Sequence, residues 1–350
     1  MLWASVAQSS KLRLLKNTSW KLAPLAGQHV PARKFSCLIS LAGYGAGAMH
    51  VVTVGTIALD SVKTPEAARH DQLGGSASYA ALSASYFSPV HIVSIVGKDF
   101  PQEYLDFFRS RGIGTESIEV VEGGTFRWSG EYFDDMNTRE TLSVAVNVLE
   151  QFKPRLERDA RQAQMVLLAN CSPDNQLEAL AQVTAPSFVV ADSMDLWINI
   201  ARERLSQVLE RTDLFVINDI EARMFMETKN TITAGHRLLE LGPRHVVVKK
   251  GEHGALLFGQ AGAFFSAAAY PLHEVRDPTG AGDSFAGGIA GYLAGLGKPQ
   301  FAFEDLARAA VYGTVMASFN CESFSTDRLQ ALSRDEIETR FTDFQRYSRF

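Results

Sequence analysis

The sequence predicts a doubly wound α/β domain, a mostly parallel sheet flanked by helices, with a small β-sheet appended as a lid. Three observations carry this. Short apolar, β-branched runs recur at residues 51–57, 91–96, 165–169, 188–191, 214–217 and 245–249. Runs that are apolar on both faces read as parallel strands covered by helices on either side. Helix-like stretches at 78–86, 101–111, 175–183, 198–209 and 220–227 lie between several of them, the alternation expected of a doubly wound sheet. Residues 125–133 and 141–148 break the pattern: both are β-rich, with Asp134, Asp135 and Asn137 supplying turn residues between them. Two strands alone are marginal, so they are expected to pair with an early segment at 58–64 and to cover a cleft.

Toward the C-terminal end, 255–258 and 263–267 read as a hairpin turning at 259–262. A strand-like segment at 272–275 follows, and long helices begin near Ala281 and Phe303. A chain of 350 residues accommodates two average domains or one large α/β domain with an insertion. The expected layout is an N-terminal extension over 1–48 and one domain over 49–345.

Composition removes several classes. With 46% hydrophobic and 21% charged residues the chain is neither disordered nor fibrous. Cys37, Cys171 and Cys321 form no Cys-x-x-Cys, which argues against a zinc ribbon or a disulfide framework and for a reducing, cytoplasmic setting. A net charge of −5 gives no reason to expect nucleic acid, and no charge-free apolar run reaches the ~18 residues of a membrane span. Asp60 is the first acid, whereas Lys11, Arg13, Lys16, Lys21, Arg33 and Lys34 precede it. An acid-free, basic, Ser-bearing N-terminus resembles a transit peptide. The alternative is a chain that starts at Met49, two residues before the first strand. Gly43-Tyr44-Gly45 with Ala48 imitates a dinucleotide fingerprint, but it precedes a strand instead of following one and is set aside.

The strongest chemical signal is Asp277-Pro278-Thr279-Gly280-Ala281-Gly282-Asp283-Ser284-Phe285. Gly280 and Gly282 let the backbone turn tightly and present successive N–H groups at the start of a helix, an anion site. Asp283 then stands where an anion should bind. It is either a helix cap or a base that takes a proton from a hydroxyl attacking a phosphoryl held by the backbone. The two glycines favour the base.

These residues carry a family resemblance. Thr279 to Phe285 resembles the C-terminal signature of the ribokinase-like (PfkB) carbohydrate kinases. Gly74-Gly75-Ser76-Ala77-Ser78-Tyr79-Ala80-Ala81 resembles that family's first glycine pair and helix. Val96-Gly97-Lys98-Asp99-Phe100, running on to Arg111-Gly112-Ile113, resembles its continuation. Asn218-Asp219-Ile220-Glu221 matches its Asn-x-x-Glu, and Lys250-Gly251-Glu252-His253-Gly254 its nucleotide-strand turn. The five motifs fall in the family's order over roughly residues 50 to 330.

The resemblance implies an ATP-dependent transfer of phosphate to a small sugar or sugar acid. A nucleoside kinase of the same family is the alternative, and a non-catalytic binding protein is the rival from another class. Asp283 would be the base, and Gly280, Ala281 and Gly282 the anion hole. Asp60, Gly74, Gly75, Tyr79, Phe126 and Trp128 would line the acceptor site. Asn218, Glu221, Lys250, Gly251, Gly254 and Thr279 would serve the nucleotide. Glu221 would hold Mg²⁺ through water, and Asp277 is the candidate ligand for a monovalent cation such as K⁺. A homodimer through the lid sheet is a further option. As ordinary chemistry, Glu221 could be a solvated helix carboxylate, Lys250 a solvated strand end, Asp60 a turn residue, and Phe126 and Trp128 core. Tyr79 stands where many members carry Asn, Ser76 where ribokinases carry Lys, and Thr56 where many carry Asn. These departures point away from ribose.

The eight histidines form no His-x-x-x-His pattern, and neither a Gly-x-Ser-x-Gly elbow nor a Gly-x-x-x-x-Gly-Lys-Ser/Thr loop occurs. Any use of ATP must rest on the Gly280–Gly282 turn.

Overall fold

Alternation of side chains along buried strands decides the architecture. The computed structural model describes residues 47–349. Its strands are β1 (Val51–Val54), β2 (Ala58–Lys63), β3 (Ala68–Gly74), β4 (Val90–Gly97), β5 (Gly114–Val121), β6 (Arg127–Tyr132), β7 (Arg139–Ala145), β8 (Met165–Leu168), β9 (Phe188–Asp192), β10 (Leu214–Asn218), β11 (His245–Lys249), β12 (Ala255–Gly259) and β13 (Phe264–Ala267). The first helices are α1 (Ser76–Ala84), α2 (Gln102–Ser110), α3 (Arg158–Arg161), α4 (Pro173–Leu180), α5 (Asp195–Ile200) and α6 (Arg202–Leu209). They are followed by α7 (Asp219–Phe225), α8 (Thr231–Leu239), α9 (Ala281–Gly295), α10 (Phe303–Asn320), α11 (Asp327–Ala331) and α12 (Arg334–Tyr347).

Nine strands form one sheet in the order β13-β12-β11-β10-β9-β8-β1-β4-β5, parallel from β11 through β5 and antiparallel at the β11-β12-β13 edge. Val51, Met165, Leu167, Leu214, Val216 and Val247 feed one core, shared with α1, α2, α9 and α10. Their strand neighbours Val52, Val166, Leu168, Phe215, Ile217 and Val248 feed a second core under α3 to α8. Each fully buried Val, Leu or Phe contributes about 1.5–3 kcal/mol, so every central strand is fixed from both faces. The order reverses beside β1, and ligands of such sheets bind at the strands' C-terminal ends near that point. Asn170, Asp192, Asn218 and Lys249 stand at or just beyond the ends of β8, β9, β10 and β11.

The second sheet is small, in the order β3-β2-β6-β7, with β2 and β6 parallel. Asp60 pairs with Trp128 in that register and shares a face with it.

Some elements differ from the sequence reading. Residues 272–275 form no strand; they run as irregular chain behind Pro271 and leave β13 at the sheet edge. The stretch 198–209 breaks at Ala201 (φ −139°, ψ 31°) into α5 and α6. Strands β3 and β5 and helices α3, α8, α11 and α12 join the elements already read. The N-terminal extension, its six basic residues and the Gly43-Tyr44-Gly45 turn lie outside the described residues. Met49 is inside them, buried, with its N–H donating to Ala294 O at 2.9 Å. No described helix is long and apolar enough to cross a membrane.

Candidate active site

The turn before α9 is held from beneath. Asp277, with no exposed surface, accepts from Thr279 N at 2.9 Å and from Ser325 N at 3.1 Å. Asn320, equally buried, donates to Thr279 O at 2.7 Å and pairs with Ser284 Oγ at 3.2 Å. Gly280 follows at φ 76°, the left-handed region in which glycine is unstrained, and is the residue that caps α9. Asp283 is therefore not the cap; it lies in the first turn. The Ala281 N–H bends back to Pro278 O at 3.1 Å. The N–H groups of Gly282 and Asp283 have no intrahelical acceptor, which leaves an anion-accepting helix start.

Tyr79 packs its ring on this turn: a Cβ at Gly280 would fall 2.4 Å from the ring. Its hydroxyl is buried with no hydrogen-bond partner among the described residues, and burial, then the fields of Asp60, Asp277 and Asp283, push it well above the usual phenol range. Asp60 is 5% exposed, and its Oδ1 likewise has no partner. Burial raises its carboxyl to about 7, against a hydrogen bond from the Gly75 N–H. Gly74 leaves the room for it, since a Cβ there would lie 1.9 Å from Asp60 Oδ2. Thr56 and Ser76 brace the end of the β1 loop, Ser76 N donating to Thr56 Oγ1 at 3.1 Å and Ser76 Oγ to Asn170 O at 2.9 Å.

Asp283 is pushed to about 7, first by burial and then by Asp192, while Lys249 and Arg139 oppose the shift. Glu221 is raised to about 7 by burial. It closes a reciprocal cap with Asn218, whose Oδ1 accepts from Glu221 N at 2.8 Å while Glu221 Oε2 accepts from Asn218 N at 3.1 Å. The lysine among these acids is Lys249, not Lys250: Lys249 Nζ lies 3.2 and 3.4 Å from the Asp192 oxygens. Burial works against its charge, but Asp192, Glu221 and Asp283 together hold its pKa above the ordinary lysine range.

A cavity of 510 Å³ runs outward from Gly282, the size of a small-molecule site. Lys249, Gly251 and Gly254 line one end, the 270–275 segment and α10 its walls; Lys250 is not among its lining residues. Asp135, Met136 and Asn137 at the tip of the small sheet close the rim, and Asn137 Nδ2 donates to Glu252 Oε1 at 3.3 Å. Within that sheet Thr279 Oγ1 donates to Tyr132 Oη at 3.3 Å, and Arg139 lies 5.6 Å from the Trp128 ring. Trp128 Nε1 donates to Thr141 Oγ1 at 3.3 Å. Phe126 precedes β6 and packs against the helix-covered core, the core alternative for this residue.

Lys249, Asp192, Arg139, Asn320 and Ser325 escaped the sequence reading. A polar residue ending a buried strand, as Asp192 and Lys249 do, was the available signal.

Solved structures share this arrangement of sheet and helices. A nucleoside kinase of Methanocaldococcus jannaschii, an archaeal member of the ribokinase family, superposes with a TM-score of 0.68 at 18% identity, over 85% of this chain and all of its own. A putative ribokinase II of E. coli in complex with ATP and Mg²⁺ gives 0.70 at 21% identity, over 84% and 99%. The fold is thus that of the ribokinases. The family model for pfkB carbohydrate kinases matches residues 49–331, and the chain belongs to that family. Among curated relatives, a cytidine kinase of Thermococcus kodakarensis is 27% identical over 71% of this chain and 90% of its own. A 2-dehydro-3-deoxygluconokinase of Thermoproteus tenax is 35% identical over 33% of this chain and 35% of its own.

Proposed function

We propose that the protein transfers the γ-phosphate of ATP to a hydroxyl of a small sugar or sugar acid. The observation that carries this is a pair of carboxyls, the buried Asp60 and the half-buried Asp283, beside a helix start whose first N–H groups have no intrahelical acceptor. Asp283 takes the proton of the acceptor hydroxyl. The new O–P bond forms as the bond to the ADP oxygen breaks, and ADP leaves with that electron pair. The Gly282 and Asp283 N–H groups stabilise charge on the transferred phosphoryl. Asp60, with one oxygen unpartnered, accepts hydrogen bonds from acceptor hydroxyls, and Tyr79 offers a donor beside it. The 510 Å³ cavity takes the nucleotide, in keeping with the E. coli neighbour in complex with ATP and Mg²⁺.

Mg²⁺ fits the donor set through water. Glu221, Asp192 and Asp283 face one ammonium, a surplus of buried negative charge, and no group of three or more His, Cys, Asp or Glu among the described residues forms a direct cage. Glu221 and Asn218 would hold it, and when bound it supplies charge neutralisation between the phosphates. Both Asp277 oxygens accept backbone N–H groups, so a monovalent cation there would share a carboxylate that already braces the turn.

A nucleoside acceptor is the second reading. Trp128 on the face of Asp60 gives a base something to stack on, and the cytidine kinase relative spans most of the chain. ADP formation from ATP and Mg²⁺, followed across a panel of hexoses, pentoses, sugar acids and nucleosides, tests both. Turnover confined to sugars supports the first reading, turnover confined to nucleosides the second. No turnover with any member overturns both.

A further inference from the structure

The buried ammonium of Lys249 takes part in no step described so far. Lys249 ends β11 and pairs in register with Asn218, which sets it beside the Asn218–Glu221 cap. Its Nζ bonds to Asp192 at 3.2 and 3.4 Å, from the end of β9. The same atom rests on the helix start: a Cβ at Gly282 would fall 2.9 Å from Nζ and from no other atom nearly so closely. The Gly282 N–H, at the beginning of α9, has no intrahelical acceptor. Any anion held there lies within reach of the ammonium, and Lys249 itself lines the cavity assigned to the nucleotide.

A lysine that served only to neutralise Asp192 would have no need to reach the phosphate cradle. Tethered by Asp192 on one side and open to the N–H groups on the other, it can be shared between carboxylate and phosphate without moving far. We propose that Lys249 is a catalytic residue that contacts the γ-phosphate at Gly282, with Asp192 as the positioning residue that holds the ammonium there. This rests on the nucleotide reading of the cavity. Charge on the γ-phosphoryl oxygens persists through the transition state of transfer. A fixed, largely desolvated cation beside them acts as the oxyanion donors of acyl transfer do. Removing one such donor lowers kcat by about 10²–10³-fold.

Titration calorimetry with MgADP and the non-hydrolysable MgAMP-PCP tests this without an identified acceptor. The proteins are the full chain, Lys249→Met, Lys249→Arg and the double variant Lys249→Met/Asp192→Asn. The double variant leaves no stranded carboxylate and covers the event that the single change unfolds the protein. The unaltered chain is expected to bind the triphosphate more tightly than the diphosphate. Both Met variants should keep ADP affinity within about threefold and lose the preference for triphosphate by about tenfold, the worth of one charge-assisted contact. Lys249→Arg should retain part of it. A preference left intact in the Met variants overturns the proposal. So does an equal fall for both nucleotides, which would make Lys249 a brace of the fold, and so does equal affinity in the unaltered chain. Failure of the unaltered chain to bind either nucleotide instead overturns the reading of the cavity on which the proposal stands.

Discussion

Asp60 is buried and Asp283 half-buried; both are raised to about 7, and each raises neighbours in the same cleft. A carboxyl with such a value is deprotonated above pH 7 and protonated below it. Turnover should therefore climb as pH rises through about 7 and level off above, and a profile flat between pH 5.5 and 8 would remove Asp283 as the base. Asp283→Asn should lower kcat by about 10²–10⁴-fold while leaving ATP binding in place. Stability gives a second readout with a fixed sign. The folded pKa lies above the unfolded one, so the free-energy benefit is complete below pH 4 and is lost as pH rises through 7. Asn cannot ionise, and the unliganded variant should melt roughly 5 °C higher at pH 8, with the difference shrinking as pH falls and vanishing only near pH 4. At the acceptor end, Gly74→Ala should push the Asp60 carboxyl aside, since the added methyl would meet it at 1.9 Å. Acceptor KM should rise steeply with KM for ATP little changed; equal effects on both would show that Asp60 does not address the acceptor.

At the scale of elements, the small sheet touches both ends of the proposed site. Its Tyr132 reaches Thr279 in the phosphate turn, its Asn137 reaches Glu252 at the nucleotide rim, and its Trp128 shares a face with Asp60. If it closes on the acceptor, Tyr132→Phe should loosen closure and raise futile ATP hydrolysis relative to transfer. Trp128→Ala should cost a nucleoside more than a free sugar, because only the base stacks; equal small losses on every acceptor would show that this face does not choose the substrate. The central strands were legible because both faces of each are buried, which writes a continuous apolar run into the sequence. β3 was not, since Ala68–Gly74 is an edge strand whose first residues are polar and exposed. Residues 272–275 were misread in the opposite sense: their apolar members face the cavity instead of a neighbouring strand. Lys249 and Lys250 are one position apart, and the twofold repeat of the strand, not the motif, decides which one enters the crevice. The braces from Asn320 and Ser325 were hidden for another reason, being some forty residues from the turn they hold.

At the scale of the whole molecule, one helix pair joins the two ends of the proposed site. α1 is capped by Gly75, whose N–H bonds to Asp60, and α9 begins at the Gly280 turn, so in the proposed reaction their relative placement would set the distance from acceptor to phosphoryl. They can lie this close because Gly287 and Gly291 on α9 face Ala80 and Ala84 on α1; a Cβ at Gly287 would be 2.2 Å from Ala80 O and one at Gly291 2.6 Å from Ala84 Cα. Those atoms are backbone and cannot rotate away, so Gly287→Ala must drive the helices apart. Overpacking of this kind costs about 1–3 kcal/mol. Its distinctive consequence is kinetic: a shift of about 1 Å between reacting groups can cost about 10²-fold in rate. Gly287→Ala, a substitution far from every reacting atom, should thus lower kcat well beyond any loss of folded protein, with the KM for ATP less affected because the phosphate turn and the α9 and α10 wall of the cavity move together. Measuring kcat per folded molecule, with the folded fraction taken from thermal unfolding in the same buffer, separates the two effects. A kcat that tracks the folded fraction alone would mean that the turn and the acceptor site are positioned independently of this helix pair.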